Sequence, residues 1–184
     1  MELVDGLDQA FDHTHQVISG IRPEQMADPT PCSEWDVRAL LTHVVGVATN
    51  LGAAAKGQAP AGSPNDLPLS DDPAAQYRAA ADAALDGFRA PGALEKTMDA
   101  GPGPLPGSAY AGILLLDTAT HSWDLAQATG QESALDPACA RLALDAARQI
   151  VNPDLRPGRF GPEVPVGDDA GPTEQLVAFL GRQP

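Results

Sequence analysis

The sequence predicts an all-α protein built as an up-and-down helical bundle with long loops. Stretches rich in alanine and leucine carry apolar residues at spacings of three and four, which is the period of one helix face. Segments rich in glycine and proline separate these stretches, in a chain with 18 residues of each type. Almost nothing alternates between apolar and polar residues as a half-buried strand would.

The helical pattern divides into five helices and a closing turn. The second helix is expected to begin after Ser33, whose hydroxyl can cap its free amides, with Asp36 three residues further on. Gly130 is expected to end the fourth. Residues 173–182 form a short amphipathic turn. The five predicted helices cover residues 2–20, 34–55, 73–90, 108–129 and 137–151.

The proline-rich stretches between these helices are interpreted as surface loops. The longest covers residues 56–72, and another precedes the fourth helix, with a short extended piece near 96–99. A chain of 184 residues suits one hydrophobic core, so the prediction is a single domain of residues 1–184.

The charge of the chain restricts its partners. It carries 25 acidic and 11 basic residues, a net charge of −14, which opposes contact with phosphate backbones and anionic membranes. Neither nucleic acid nor a membrane is an expected partner. The N-terminus lacks the basic start and apolar stretch of a signal peptide, and no uninterrupted apolar run approaches the length of a spanning helix. With only two cysteines, far apart in the chain, a cytoplasmic location is expected.

Two polar residues stand out in the fourth predicted helix. Asp117 and His121 are four residues apart on one face, beside the leucines at 114–116. Burying an unpaired carboxylate there costs several kcal/mol, on the order given for buried charge. A metal ion held by both side chains would compensate, and His43 in the apolar second helix offers a third ligand. A local Asp–His pair in a metal-free bundle is the alternative.

Other chemically capable residues have simpler interpretations. Trp35 and Trp123 are expected to be core aromatics, and the aspartates beside them capping or surface groups. Cys32 and Cys139 are expected to be inert, unpaired thiols, although Cys32 precedes a helix start that would favour a thiolate.

Two long motifs carry a family resemblance. The stretches TPCSEWDVRALLTHVVG, residues 30–46, and LLLDTATHSWDLAQATG, residues 114–130, resemble stand-alone actinobacterial metal-binding proteins. Those proteins are related to the N-terminal domain of mycothiol-dependent maleylpyruvate isomerase, in the DinB-like four-helix superfamily. The resemblance implies a DinB-like bundle with an additional C-terminal helix. It also implies that His43, Asp117 and His121 hold a divalent metal. Zinc is the first candidate, with nickel and iron as alternatives.

The sequence differs from that of the isomerase in two ways. The isomerase has glutamate at the position of Asp117 and carries an additional C-terminal domain that contributes to its reaction. Maleylpyruvate isomerisation itself is therefore not the expected reaction.

The resemblance implies a metal-dependent transferase or isomerase that uses a mycothiol-type thiol and a small electrophile. A non-catalytic metal-binding, accessory or sensor module is the alternative. No catalytic or further cofactor-binding residue is designated. The oligomeric state is left open, with a homodimer among the alternatives.

Overall fold

A computed structural model of the protein describes residues 1–100 and 103–184. These residues are mostly helical, which confirms the all-α prediction, and one small two-stranded sheet is added to the helices. The helices are α1 Leu3–Ser19, α2 Val37–Ala55, α3 Pro73–Arg89, α4 Gly107–Thr129, α5 Pro137–Ile150 and α6 Pro172–Phe179, with 3₁₀ turns at Pro23–Ala27 and Pro64–Asp66; the strands are β1 Thr97–Asp99 and β2 Pro104–Pro106.

The first four helices pack against one another around one apolar core. Helix α1 contacts α3 and α4, α2 contacts the same two helices, and α5 lies against α1 and α4. Helix α6 packs mainly on α5 and reaches α4. Because α2 and α4 are direct neighbours, side chains on their facing sides can meet. The largest fully buried side chains are Leu7, Phe11, Leu40, Leu41, Tyr77, Phe88, Tyr110, Leu114, Leu115, Leu125, Leu176 and Leu180.

The helix boundaries follow the local sequence signals closely, with one correction. Asp36, not Ser33, caps α2, since its Oδ1 accepts a hydrogen bond of 2.8 Å from the backbone amide of Ala39. The prediction of Ser33 as the cap was wrong because residues 32–35 form a turn, closed by the Trp35 amide on the Cys32 carbonyl at 2.8 Å. The turn leaves Cys32 and Trp35 beside the start of α2.

Two other local predictions are confirmed. Gly130 ends α4 in the left-handed conformation, with φ of 68°. The extended piece near residues 96–99 is β1, which pairs antiparallel with β2 in a register that places Met98 opposite Leu105. Residues 101 and 102 lie outside the described residues.

Helix α2 is long and apolar enough, by length and composition, to cross a membrane. However, 61% of its most apolar window is buried inside the fold, as in the core helix of a soluble protein. Its apolar residues therefore have a partner in α3 and α4. The cytoplasmic location stays a prediction.

Candidate metal centre

The structure brings His43, Asp117 and His121 together where α2 crosses α4. One nitrogen or oxygen from each side chain lies within 4.8 Å of the others. Nε2 of His43 is 3.0 Å from Oδ1 of Asp117, and Nε2 of His121 is 3.6 Å from the same oxygen. The side chains are 13–18% exposed, so the group lies at the edge of the core rather than inside it. Solvent therefore reaches the cluster.

Both histidines face Asp117 with the same nitrogen because the other nitrogen is already engaged. Nδ1 of His43 lies 2.7 Å from Oδ1 of Asn65. Nδ1 of His121 lies 2.9 Å from Oδ2 of Asp124. In the tautomer that carries the proton on Nδ1, each neutral ring donates a hydrogen bond to its oxygen neighbour. Its Nε2 lone pair then points at the Asp117 carboxylate.

In that tautomer, three electron-pair donors meet with no hydrogen between them. Only a proton or a cation stabilises two imidazole lone pairs aimed at one carboxylate. Two imidazoles and a carboxylate also form a ligand set that zinc accepts, and ligands about 2.1 Å from a tetrahedral ion lie roughly 3.4 Å apart. The observed 3.0 and 3.6 Å separations agree with that spacing. The residues present fit a divalent metal, and its occupancy stays a prediction.

The acceptor for His43 comes from the loop of residues 56–72. This loop returns along α2 because Asn50 holds it, accepting from the Ala61 amide at 2.9 Å and donating to the Gly62 carbonyl at 2.7 Å. The Pro64 carbonyl then lies directly on Gly46, where any Cβ would overlap it. Glycine at position 46, one turn from His43, therefore allows the close approach that delivers Asn65.

The acceptor for His121 belongs to a second, deeper cluster. Asp124 is fully buried and receives hydrogen bonds from His121, from the Cys32 thiol at 3.2 Å and from Arg182. Arg182 Nη2 is 2.8 Å from Oδ2 of Asp124, and its Nε is 3.2 Å from Oδ1. The guanidinium thus holds the carboxylate with two parallel bonds.

Cys32, His121 and Asp124 are also close enough to hold a metal. However, the positive charge of Arg182 already neutralises Asp124, and Nδ1 of His121 donates a proton to it. Burial, and next the charge of Asp124, raise the pKa of Cys32 to about 12, so without a metal its sulfur is a protonated thiol that donates to Asp124. This cluster is a hydrogen-bonded support for His121, and the triad with His43 is the candidate metal centre.

The ionisation of the triad follows from the same contacts. Burial opposes the charge on Asp117, yet the charges of His43 and His121 hold the pKa of its carboxyl below the usual value. Burial likewise opposes protonation of His43, but Asp117 raises the pKa of that imidazole. Burial also opposes the charge on Asp124, but hydrogen bonds from His121 and Arg182 lower its pKa to about 2. Asp124 is therefore a permanent anion at neutral pH.

Trp35 covers one side of the triad. Its ring centroid lies 4.6 Å from that of His43 and 6.0 Å from that of His121. Trp35 is half-buried at the site rather than a core aromatic, whereas Trp123 is buried as expected. The indole excludes water from that side of the histidines.

Three residues that support the site escaped the sequence analysis. Asp124 was predicted to be a capping or surface group and is fully buried instead. Its position three residues after His121, on the same helix face, was the signal that could have revealed it. Nothing local marks Asn65 or Arg182, because each reaches the site from a distant segment.

Comparisons with known proteins give a family and two relatives. Residues 7–126 match the family described as mycothiol maleylpyruvate isomerase N-terminal domain. Two uncharacterised proteins of Mycobacterium tuberculosis, from strains CDC 1551 and H37Rv, are each 40% identical to this chain over 177 residues, which cover 95% of it and 94% of them. No solved structure matches it significantly. Since the family match covers more than half of the residues, and includes His43, Asp117 and His121, the chain belongs to the mycothiol maleylpyruvate isomerase N-terminal domain family.

Proposed function

We propose that this protein binds a divalent metal, with zinc as the first candidate, through His43, Asp117 and His121. We propose that it uses the metal as a transferase or isomerase that depends on a mycothiol-type thiol. The observation that supports the metal is the convergence of the two Nε2 atoms on Oδ1 of Asp117, at 3.0 and 3.6 Å. The two Nδ1 atoms are occupied by Asn65 and Asp124, so this orientation is imposed from outside the triad.

A divalent ion held by these three residues would lower the pKa of a thiol bound to it, so that a thiolate nucleophile would be available at neutral pH. The protein's own residues would bind the ion, orient its ligands and shield the site. His43 and His121 offer neutral nitrogens, Asp117 supplies a negative charge, and Asp124 orients His121. Trp35 shields one side, so a substrate approaches from the solvent-exposed edge.

The thiol is proposed from the family, whose description names mycothiol. We propose further that α1–α4 form the up-and-down four-helix bundle of the DinB-like superfamily, with α5 and α6 added. This proposal is supported by the mutual packing of α1 and α2 on α3 and α4. The second substrate is proposed to be a small electrophile, with neither nucleic acid nor membrane involved.

The shorter carboxylate at position 117 suits this site. Asp117 reaches His43 at 3.0 Å and His121 at 3.6 Å, so α2 and α4 lie close enough for aspartate to serve. The departure from glutamate therefore argues against the isomerase's own reaction more than against a metal.

Conjugation of mycothiol with monochlorobimane tests the enzymatic proposal. A carbon–sulfur bond forms, chloride leaves, and the thiol proton passes to the buffer. Zinc-loaded protein should accelerate the reaction, and His43→Ala should lose the acceleration. His15 lies on α1, and within the described residues its side chain makes no hydrogen bond to the triad, so His15→Ala is the matched control and should retain the acceleration. If the protein binds zinc but does not accelerate the conjugation, the result contradicts catalysis and supports a non-catalytic metal-binding module.

That non-catalytic module is the second candidate function. It is favoured by the 13–18% exposure of the ligands and by the Trp35 indole over His43, which together leave a narrow approach. A protein that only stores or senses a metal ion needs no wider access from solvent to the site.

A further inference from the structure

We propose that Arg182 is a positioning residue for the candidate metal centre. It fixes the Asp124 carboxylate, and through it holds His121 with Nε2 directed at Asp117. The inference rests on the proposed metal site. It assigns a role to the C-terminal segment, since Arg182 lies beyond the residues 7–126 that match the family.

The contacts form an unbroken chain from the C-terminus to the triad. Arg182 is only 9% exposed and places Nε and Nη2 on the two oxygens of Asp124, at 3.2 and 2.8 Å. Oδ2 of Asp124 is 2.9 Å from Nδ1 of His121. A carboxylate held by two parallel bonds cannot rotate, so the acceptor for His121 stays in place.

Cys32 completes the shell around Asp124. Its thiol lies 3.2 Å from Oδ2, and Nη2 of Arg182 lies 3.3 Å from the sulfur. The oxygen that accepts from His121 is thus surrounded by donors on three different segments of the chain. Such outer partners typically change metal affinity roughly ten- to hundredfold when they are removed.

A specific backbone turn delivers Arg182. Helix α6 ends at Phe179, and Gly181 then adopts φ of 87°, a left-handed conformation that favours glycine. Gly181 packs directly on the backbone of Gly161, where a side chain would collide. The Arg182 amide bonds to the Val177 carbonyl at 2.9 Å, which returns the side chain towards α4.

The direction in which zinc affinity changes distinguishes a positioning role of Arg182 from a purely electrostatic one. If Arg182 acted only through its positive charge, removing it would strengthen the binding of a cation nearby. If it positions Asp124, removing it should weaken binding, because Asp124 and then His121 lose their fixed orientation. Arg182→Lys keeps the charge but not the planar fork, so it should restore binding only partly.

Arg156 provides a matched control for loosening of the C-terminal segment. Its Nη1 donates to the carbonyls of Gly161 and Phe179, at 2.7 and 3.1 Å, and its guanidinium lies 4.9 Å from the Phe179 ring centroid. Within the described residues, Arg156 therefore anchors the same segment without a hydrogen bond to Asp124 or to the triad. Arg156→Met should leave zinc affinity nearly unchanged.

The experiment measures zinc affinity by competition with a chromophoric chelator for the wild type, Arg182→Met, Arg182→Lys and Arg156→Met. Arg182→Met should bind zinc roughly tenfold or more weakly, with Arg182→Lys between it and the wild type. Because Arg182→Met strands a buried carboxylate, the double variant Asp124→Asn with Arg182→Met is made as well. It removes both charges, keeps an oxygen acceptor, and should show the same weakening.

The tautomer of His121 in metal-free protein gives a second readout. Nitrogen-15 NMR should find the proton on Nδ1 in the wild type, and a mixture of Nδ1–H and Nε2–H rings in the double variant. Unchanged or tighter zinc binding, an equal loss in Arg156→Met, or an unchanged tautomer would overturn the inference. If the wild type binds no zinc, the proposed function fails, while the tautomer still decides whether Arg182 positions His121.

Discussion

Nε2 of His43 on α2 lies 3.0 Å from Oδ1 of Asp117 on α4, while Nδ1 of the same ring is bonded to Asn65. A neutral His43 with its proton on Nδ1 therefore presents a lone pair to a carboxylate, and a His121 in the same tautomer does so from the next turn of α4. This relationship crosses the interface between α2 and α4. It sets the expected response of the protein to metal, to protons and to substitution.

Metal should raise the melting temperature of the wild type. A ligand that binds only the folded state stabilises it by RT ln(1 + [L]/Kd), about 2.7 kcal/mol at a hundredfold excess over Kd. Thermal melts with zinc and with chelator measure the difference. Identical curves, with no zinc found in the protein by elemental analysis, would reject the site.

Two ligand substitutions should separate metal binding from charge burial. Asp117→Asn should lose most zinc affinity yet melt no lower than the chelated wild type, because it removes the charge that needed compensation. His43→Ala should also lose zinc, but it leaves Asp117 with only His121, at 3.6 Å. The melts of the metal-free variants should therefore place His43→Ala below Asp117→Asn. The reverse order would show that Asp117 is already well compensated without His43.

The response to metal should grow as the pH rises. The pKa of His43 is raised above 6.5, so its stabilising pair with Asp117 is fully present below 6.5 and is lost as the pH rises through the raised value. The pKa of Asp117 is lowered below 3.8, so its contribution is present above 3.8 and is lost as the pH falls through the lowered value. Between these limits protons compete with metal for His43.

Zinc should therefore raise the melting temperature more at about pH 8 than at about pH 6, since metal binding requires neutral imidazoles. Melts of wild type with and without zinc across this range measure the trend. A zinc effect independent of pH would mean that His43 is not a ligand.

Gly46→Ala should disturb the site without touching a ligand. The new Cβ would overlap the Pro64 carbonyl, which must move and take Asn65 away from His43. Both the stability and the zinc affinity should fall. Gly112→Ala on α4 is the matched control, because its Cβ would meet nothing closer than 4.0 Å.

The control Gly112→Ala should leave the free energy of unfolding unchanged or raise it by roughly 0.5–1 kcal/mol, which is the usual gain of alanine over glycine in a helix. Denaturant melts and zinc titrations of both variants provide the measurement. Equal behaviour of Gly46→Ala and Gly112→Ala would mean that the loop tolerates displacement.

Cys32 should be unreactive in the folded protein. With a pKa of about 12, about one thiol in ten thousand is ionised at pH 8, against about one in ten for an ordinary cysteine of pKa 9.0. Iodoacetamide should therefore modify Cys32 at least roughly a hundredfold more slowly in native than in unfolded protein, as followed by mass spectrometry. Rapid native alkylation of Cys32, with the buried Cys139 spared, would contradict the hydrogen-bonded thiol.

Much of the fold was predictable because the signals are local. The 3.6-residue period of apolar side chains located α1–α5 to within a few residues, and Gly130 marked the end of α4. The one misplaced signal, Ser33 for Asp36, arose because two good capping residues stood three positions apart.

The helices and the pairing of Asp117 with His121 could be predicted from the amino-acid sequence, since residues four apart on a helix must share a face. The burial argument also singled out His43, but its contact with Asp117 depends on how α2 packs on α4. The contacts of Asn65 with His43 and of Arg182 with Asp124 could not be predicted in this way, because they join segments that are far apart in the chain and meet only in the folded protein. No local periodicity encodes such contacts; they exist only after the close approach at Gly46 and the turn at Gly181 have formed.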